Sequence, residues 1–282
     1  MVVELNGQPS AVGSGLLYHY ASVATFDAIL ASGEMWLSDY RVLSDESEIS
    51  FGRAVAERTF SSFGESSVFR ELLTNCLAAS RNEEFFVASF SLEADCLNQW
   101  RAYGDGCRGV SIGLGMSEFI TLIECDPQAV SLSCVTYDAD TQALLFSTVA
   151  TLARQIFELD EARGKHEPAI LVRELQRTIS ELLPLCKDRA WTDERECRLI
   201  VVPCLTLSGA TSGMSLRHRQ GVYGDVGYIS TRDVDRNFEL PVQAVITGPW
   251  ISRTDLDRVR GAANAHSLDL RHSEVPLRLL PR

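Results

Sequence analysis

The chain has 282 residues, 45% of them apolar and 23% charged, with 38 acidic against 26 basic side chains and a net charge of −12. Affinity built on neutralising nucleic-acid phosphates needs a basic face, and the one small basic cluster is Arg217-His218-Arg219, so broad charge-driven nucleic-acid binding is disfavoured. A groove for one flipped or single-stranded base stays open, because it needs few positive groups.

In chain order, Leu16 to Tyr20 reads as a short strand, and Ser22 is placed to cap a helix with apolar face Val23, Phe26, Ile29 and Leu30 that Gly33 stops. Met35 to Ser38 follows as a strand, then a polar loop from Asp39 to Glu48, then helical stretches over 47–63 and 66–80. Phe85 to Ser91 is the next strand, Asp95 to Tyr103 a short helix, and Val110, Ile112 and Leu114 alternate as a strand, as does 130–137. Two long helices over 139–161 and 167–186 precede an apolar strand entered at Glu194. Val242 to Thr247 forms a late strand, and Ser252-Arg-Thr-Asp255 opens a closing helix with a capping-box pattern. Strands and helices mix without regular βαβ alternation, which predicts an α+β fold. No linker or low-complexity tract marks a boundary, so one domain over 1–282 is expected.

No apolar stretch approaches the ~20 residues of a spanning helix. The start, Met1 to Gly7, lacks a basic segment followed by an apolar one, so the expected location is cytoplasmic, with no membrane partner. The eight cysteines, at 76, 96, 107, 125, 134, 186, 197 and 204, include no Cys-x-x-Cys arrangement and read as buried thiols. The five histidines show no zinc-ligand spacing, and no metal is expected.

Two motifs match by letter and not by context. Gly104-Asp-Gly106-Cys-Arg-Gly109 fits the dinucleotide fingerprint, but a helix enters the glycines and a strand leaves them, the reverse of what a pyrophosphate site needs. Gly109-Val-Ser111-Ile-Gly113 fits a nucleophile elbow, yet Ser111 lies inside an alternating strand rather than at a strand-to-helix turn.

The run Lys187 to Val202 is the first place to look for chemistry. Glu194, Glu196 and Arg198 sit two apart at the mouth of an apolar strand, on one face by the period of two, and ionised groups are costly there unless paired, hydrated or used. Arg198 has Glu194, Glu196, Asp45 and Glu48 as candidate carboxylate partners. Lys187 reads either as a solvated loop charge or as a ligand contact.

Four segments resemble the bacterial family catalogued as domain of unknown function 2971. They are Leu17-Tyr-His-Tyr-Ala-Ser with Met35-Trp-Leu-Ser-Asp; the loop Arg41 to Glu48; Ala88-Ser-Phe-Ser91 with Gln99-Trp100-Arg101-Ala-Tyr103-Gly104 and Gly109-Val-Ser-Ile; and Lys187, Trp191, Glu194, Glu196 and Arg198 with Gly248-Pro249 and Ser273 to Pro276. In the loop, Asp45 and Glu48 match the family's Asn-Asp-Pro-x-Glu pattern, while Ser44 and Glu46 depart from it.

The opening segment is also similar to the first motif of the ADP-ribosyltransferase superfamily, in which a strand-borne His or Arg precedes a helix and a strand bearing an aromatic or Ser, with a Glu on a late strand. His19, Trp36 or Ser38, and Glu196 fill those places, and Glu194-Arg-Glu196 reproduces the Glu-x-Glu of the arginine-modifying branch. The resemblance implies a core of two small mixed sheets with flanking helices, NAD+ as substrate, and a macromolecular acceptor, protein or single-stranded nucleic acid. It also implies a toxin or phage-defence effector, with an antitoxin or regulator as a further partner. Glu196 would stabilise the ribosyl cation through the 2′-hydroxyl, and Glu194 would orient or deprotonate the acceptor. Tyr20, Trp36 or Trp100 would stack on nicotinamide, His19 would bond a ribose hydroxyl, and Arg41 or Arg101 would meet a phosphate. Against these stand plainer roles: a hydrogen-bonded core histidine for His19 and core packing for Trp36 and Trp100. The alternatives for the whole chain are a non-catalytic binding module, and a hydrolase or nuclease working through Asp45, Glu48 and Glu194.

Overall fold

The computed structural model describes residues 15–42, 46–63, 68–80, 84–126, 129–162, 168–203, 214–221 and 224–276. Strand β1 (Leu16–Ala21) leads into helix α1 (Val23–Ser32). Ser22 caps that helix by accepting from the Thr25 amide at 3.1 Å, and Gly33 ends it at φ 65°, in the left-handed region where a side chain is strained. Then come β2 (Trp36–Asp39), a 3₁₀ turn over Tyr40–Val42, and helices α2 (Glu46–Ser61) and α3 (Val68–Ala79). Next are β3 (Phe86–Ser91), α4 (Leu97–Ala102), β4 (Val110–Gly115), α5 (Met116–Cys125) and β5 (Val130–Cys134), followed by the long helices α6 (Ala139–Ala162) and α7 (Pro168–Leu182). Strands β6 (Glu196–Val201), β7 (Arg217–Gly221) and β8 (Gly224–Ser230), helix α8 (Thr231–Val234), β9 (Val242–Thr247), α9 (Arg253–Ala265) and β10 (Asp269–His272) complete the chain.

The α+β class expected from the sequence holds. Two small sheets were expected, but the strands form a single ten-stranded sheet, ordered β10-β9-β4-β1-β3-β2-β8-β7, in which β6 branches from β3 and β5 pairs with β6; its two limbs extend from β3 through β1 and through β2. The branch positions the site. Strand β6 runs antiparallel along all of one edge of β3, from Phe86↔Val201 to Ser91↔Glu196. The other edge is shared: β2 pairs with Phe86 and Val87, and β1 pairs with Ser91. Because β1 and β2 take opposite ends of a single edge, they diverge, and the middle of β3 faces the gap between them.

Two cores support this frame. The sheet core joins Leu17, Phe26, Leu37, Phe90, Ile112, Phe119, Leu199 and Val245, contributed by both limbs and the helices that cover them. A separate helical core packs α2, α3, α6 and α7 through Phe60, Phe69, Leu73, Phe146 and Ile179. The 3₁₀ turn Leu183–Leu185 joins the two, with Leu185 packed among Tyr40, Phe85, Val87 and Ile200.

The glycine-rich turn behaves as its context requires. Helix α4 ends and the chain reverses through Asp105, Gly106 and Cys107, all at positive φ, before β4 begins. At Gly109 a Cβ would meet the Ala21 carbonyl, so close strand packing explains this glycine. Ser111 is fully buried inside β4. Differences from the sequence reading are α5, the β7–β8 hairpin, α8 and β10, none of which was expected. The expectation of buried thiols holds for Cys76, Cys107 and Cys186, but Cys96 is half-buried, Cys125 is exposed, and Cys134 and Cys197 face each other across β5 and β6 and form a disulfide; Cys204 lies outside the described residues.

Candidate active site between β1 and β2

A cavity of about 970 Å³ opens where β1 and β2 part, roofed by the Ala24, Ala28 and Ile29 face of α1 and floored by the middle of β3. Its volume suits a nucleotide-sized ligand. His19 of β1 and Glu196 of β6 both line it, together with Glu194, Trp36, Ser38 and Tyr20.

Glu196 is the most constrained of these groups. The Arg198 guanidinium donates from Nε to Oε1 at 2.6 Å and from Nη2 to Oε2 at 2.9 Å, a bidentate grip, while Lys187 Nζ reaches Oε2 at 3.1 Å. Lys187 Nζ also donates to Glu194 Oε2 at 2.5 Å, and Tyr103 donates to Glu194 Oε1 at 3.1 Å. All four charged groups are buried and their formal charges cancel, which is how a fold carries ions out of water. Burial alone raises the Glu196 carboxyl, but Arg198, then Lys187 and the Ser89 hydroxyl, overcome it and hold the group down at about 2. Glu196 is therefore a permanent anion at neutral pH.

Local structure explains the placement. Glu194 does not lie on the strand as the period of two suggests; it ends the 3₁₀ turn Arg189–Glu194. Arg195, at φ 42°, turns the chain into β6. The Glu194 carbonyl accepts from Ser91 Oγ at 2.7 Å and Gln99 Nε2 at 3.4 Å, which fixes the turn against β3 and α4. Lys187 is held through its backbone: its carbonyl accepts from Gln142 of α6 at 2.8 Å, and its amide donates to Thr136 at 3.2 Å. The solvated-loop reading of Lys187 is thus corrected; it is a buried member of the cluster.

His19 Nδ1 lies 3.1 Å from the carbonyl of Ser89, on the stretch of β3 that neither β1 nor β2 pairs. Burial lowers the imidazole below its ordinary value, with the Ser89 carbonyl acting in the opposite sense. The neutral ring then carries its proton on Nδ1, leaving Nε2 as an acceptor. Ser89 connects the two halves of the site: its carbonyl receives His19 and its hydroxyl helps hold the Glu196 carboxyl ionised.

The remaining expected contacts divide. Trp36 lies at the cavity wall, 42% exposed and stacked on Tyr228 at 4.4 Å between ring centroids. Ser38 lines the wall and accepts from Arg219 Nη2 at 3.1 Å. Tyr20 borders the cavity, but its hydroxyl is engaged, donating to Glu93 O at 2.8 Å and accepting from the Cys96 amide at 2.9 Å. Three assignments are corrected. Trp100 is fully buried, edge-on to Tyr20, with Nε1 donating to Asp95 at 2.6 Å, so it supports the wall and touches no ligand. Arg41 is clamped to Asp39 and Glu84 outside the cavity lining. Arg101 is exposed on α4, also outside it. Arg219, Ser89, Tyr103 and Glu34 line the cavity without having been assigned a role from the sequence. Asp45 and the Glu48 side chain, on which the nuclease alternative leans, lie outside the described residues, among which no group of three or more His, Cys, Asp or Glu could hold a metal ion. No helix among the described residues is long and apolar enough to cross a membrane.

Residues 99–199 match the model of a family described as Protein of unknown function (DUF2971), so the family resemblance seen in the sequence holds over that stretch. The match contains Tyr103, Lys187, Glu194, Glu196 and Arg198, all of which line the cavity. No curated protein matches the chain.

Proposed function

We propose that the cavity, lined in part by the segment that matches DUF2971, takes NAD+ and that the chain cleaves its nicotinamide–ribose bond, passing ADP-ribose to a macromolecular acceptor. One observation carries this reading: His19 and Glu196, far apart in sequence, line a single nucleotide-sized hollow across β1, β3 and β6. As the C–N bond breaks, nicotinamide leaves with the bonding pair and positive charge builds on the ribose. A carboxylate that stays ionised, locked by Arg198 and Lys187, needs no reorganisation to stabilise that charge. His19 Nε2 accepts from a ribose hydroxyl. The acceptor nucleophile then bonds C1′ and loses its proton, for which Glu194 is the adjacent carboxylate.

The mutual cancellation of the four buried charges also favours a second reading, a non-catalytic module that binds a nucleotide on a rigid floor. Incubation with NAD+ and cell extract separates the two, following free nicotinamide and labelled ADP-ribose on macromolecules. The transferase reading expects both, and their loss by at least ~100-fold in Glu196→Gln. Binding of NAD+ without release of nicotinamide supports the module.

A further inference from the structure

Arg219 is the cavity's second cationic feature, and it differs from the first. Lys187 and Arg198 are committed to carboxylates, whereas Arg219, on β7, donates to the Ser38 hydroxyl and forms no ion pair among the described residues. Its guanidinium carbon lies 5.9 Å from the centre of the Trp36 ring. Trp36 is held in place by its stack on Tyr228 yet keeps 42% of its surface exposed at the cavity wall. On the same wall, Glu34 receives Ser230 Oγ at 2.7 Å and Trp36 Nε1 at 3.5 Å. An ionised carboxylate has acceptors only, so Glu34 offers partners to the N–H or O–H groups of a ligand. A guanidinium free of carboxylates, a hydroxyl beside it, an exposed indole and an acceptor-only edge are together complementary to a phosphate next to a planar, donor-bearing ring.

The geometry points to this wall as a nucleoside-diphosphate subsite, with Arg219 and Ser38 on phosphate oxygens and Trp36 and Glu34 on the nucleoside. The inference rests on the NAD+ reading and orients it: the ADP half lies along β2 and β7, and the nicotinamide ribose lies against His19 and Glu196. It moves Trp36 from nicotinamide stacking to the opposite end of the ligand, and it replaces Arg41 and Arg101, both outside the cavity, as the phosphate contact. A nucleic-acid backbone is disfavoured as the source of phosphate by the net charge of −12.

The test is titration of the full chain with ADP, adenosine and a single-stranded oligonucleotide, read by calorimetry, in wild type, Arg219→Gln, Arg219→Lys and Trp36→Ala. The expected result is ADP binding weakened at least tenfold by Arg219→Gln and less by Arg219→Lys, adenosine binding changed less than about twofold by either, and both ligands weakened by Trp36→Ala. Unchanged melting temperatures in the Arg219 variants confirm that the effect is local. The assignment is overturned by ADP that binds equally to wild type and Arg219→Gln, by absence of ADP binding at millimolar concentration, or by an oligonucleotide that displaces ADP while binding more tightly. Arg219-dependent ADP binding without nicotinamide release keeps the subsite and removes the transferase reading.

Discussion

Replacing Arg198 by Met removes the bidentate partner of a buried carboxylate and keeps most of the side-chain volume. Glu196 is held at about 2 against the ordinary 4.5 of a glutamate, with Arg198 the leading favourable cause. A folded-state value depressed by about 2.5 units corresponds to about 3 kcal/mol of stability at pH 7, since each unit is worth about 1.4 kcal/mol. The sign follows from which state binds protons. Below 4.5 the unfolded chain takes up a proton that the folded chain refuses, so the stabilisation is full above that value. It is lost as the pH falls toward 2, dropping to roughly 1 kcal/mol by pH 3. The variant therefore loses about 3 kcal/mol or more at pH 7, in the range of broken buried ion pairs, but much less at pH 3. The hydrogen bond from Arg198 Nη1 to the Pro184 carbonyl at 2.6 Å adds a cost that does not depend on pH. Urea unfolding of wild type and variant at pH 7, 5 and 3, followed by tryptophan fluorescence, measures the difference. An identical loss at pH 7 and pH 3 would refute the assignment of the low Glu196 value to Arg198.

Gly109→Ala drives a methyl group into the Ala21 carbonyl, a backbone atom that cannot swing aside. A loss of about 3 kcal/mol is expected, read as a fall of roughly 6–12 °C in Tm by calorimetry; an unchanged Tm would show that β1 and β4 can part. His19→Ala removes one acceptor for a ribose hydroxyl and should raise the KM for NAD+ by about 3–10-fold, the worth of one hydrogen bond. Because burial keeps His19 neutral, wild-type NAD+ affinity is expected to stay flat between pH 6.5 and 8; a titration step in that window that disappears in His19→Ala would contradict the neutral imidazole.

Much of the frame was legible because it depends on neighbours in sequence. Ser22 and Gly33 delimit α1 by local capping chemistry, and the alternation around Val110 marks β4 without reference to the rest of the chain. Glu194, Glu196 and Arg198 stood out because ionised residues before an apolar strand need a reason. What was not legible depends on pairing across long separations. Arg217-His-Arg219 has neither an apolar alternation nor a turn signature, so β7 and β8 are recognisable only once β8 lies against β2. The role of Arg219 appears only when that hairpin brings it over Trp36, 183 positions earlier in the chain. Trp100 and Trp36 look alike in sequence; the first is sealed beneath Tyr20 and the second stands at the cavity wall because β2 diverges from β1. Cys134 and Cys197 likewise gave no spacing signal, since their pairing follows from the register of β5 on β6.

The most direct measurement is steady-state kinetics of nicotinamide release by purified wild type and Glu196→Gln. If a fixed carboxylate acts on the charge that develops at the ribose, kcat falls by at least ~100-fold while KM for NAD+ changes by less than about threefold. A variant whose KM rises at unchanged kcat, or one that turns over as wild type does, would contradict the placement of Glu196 at the reacting bond.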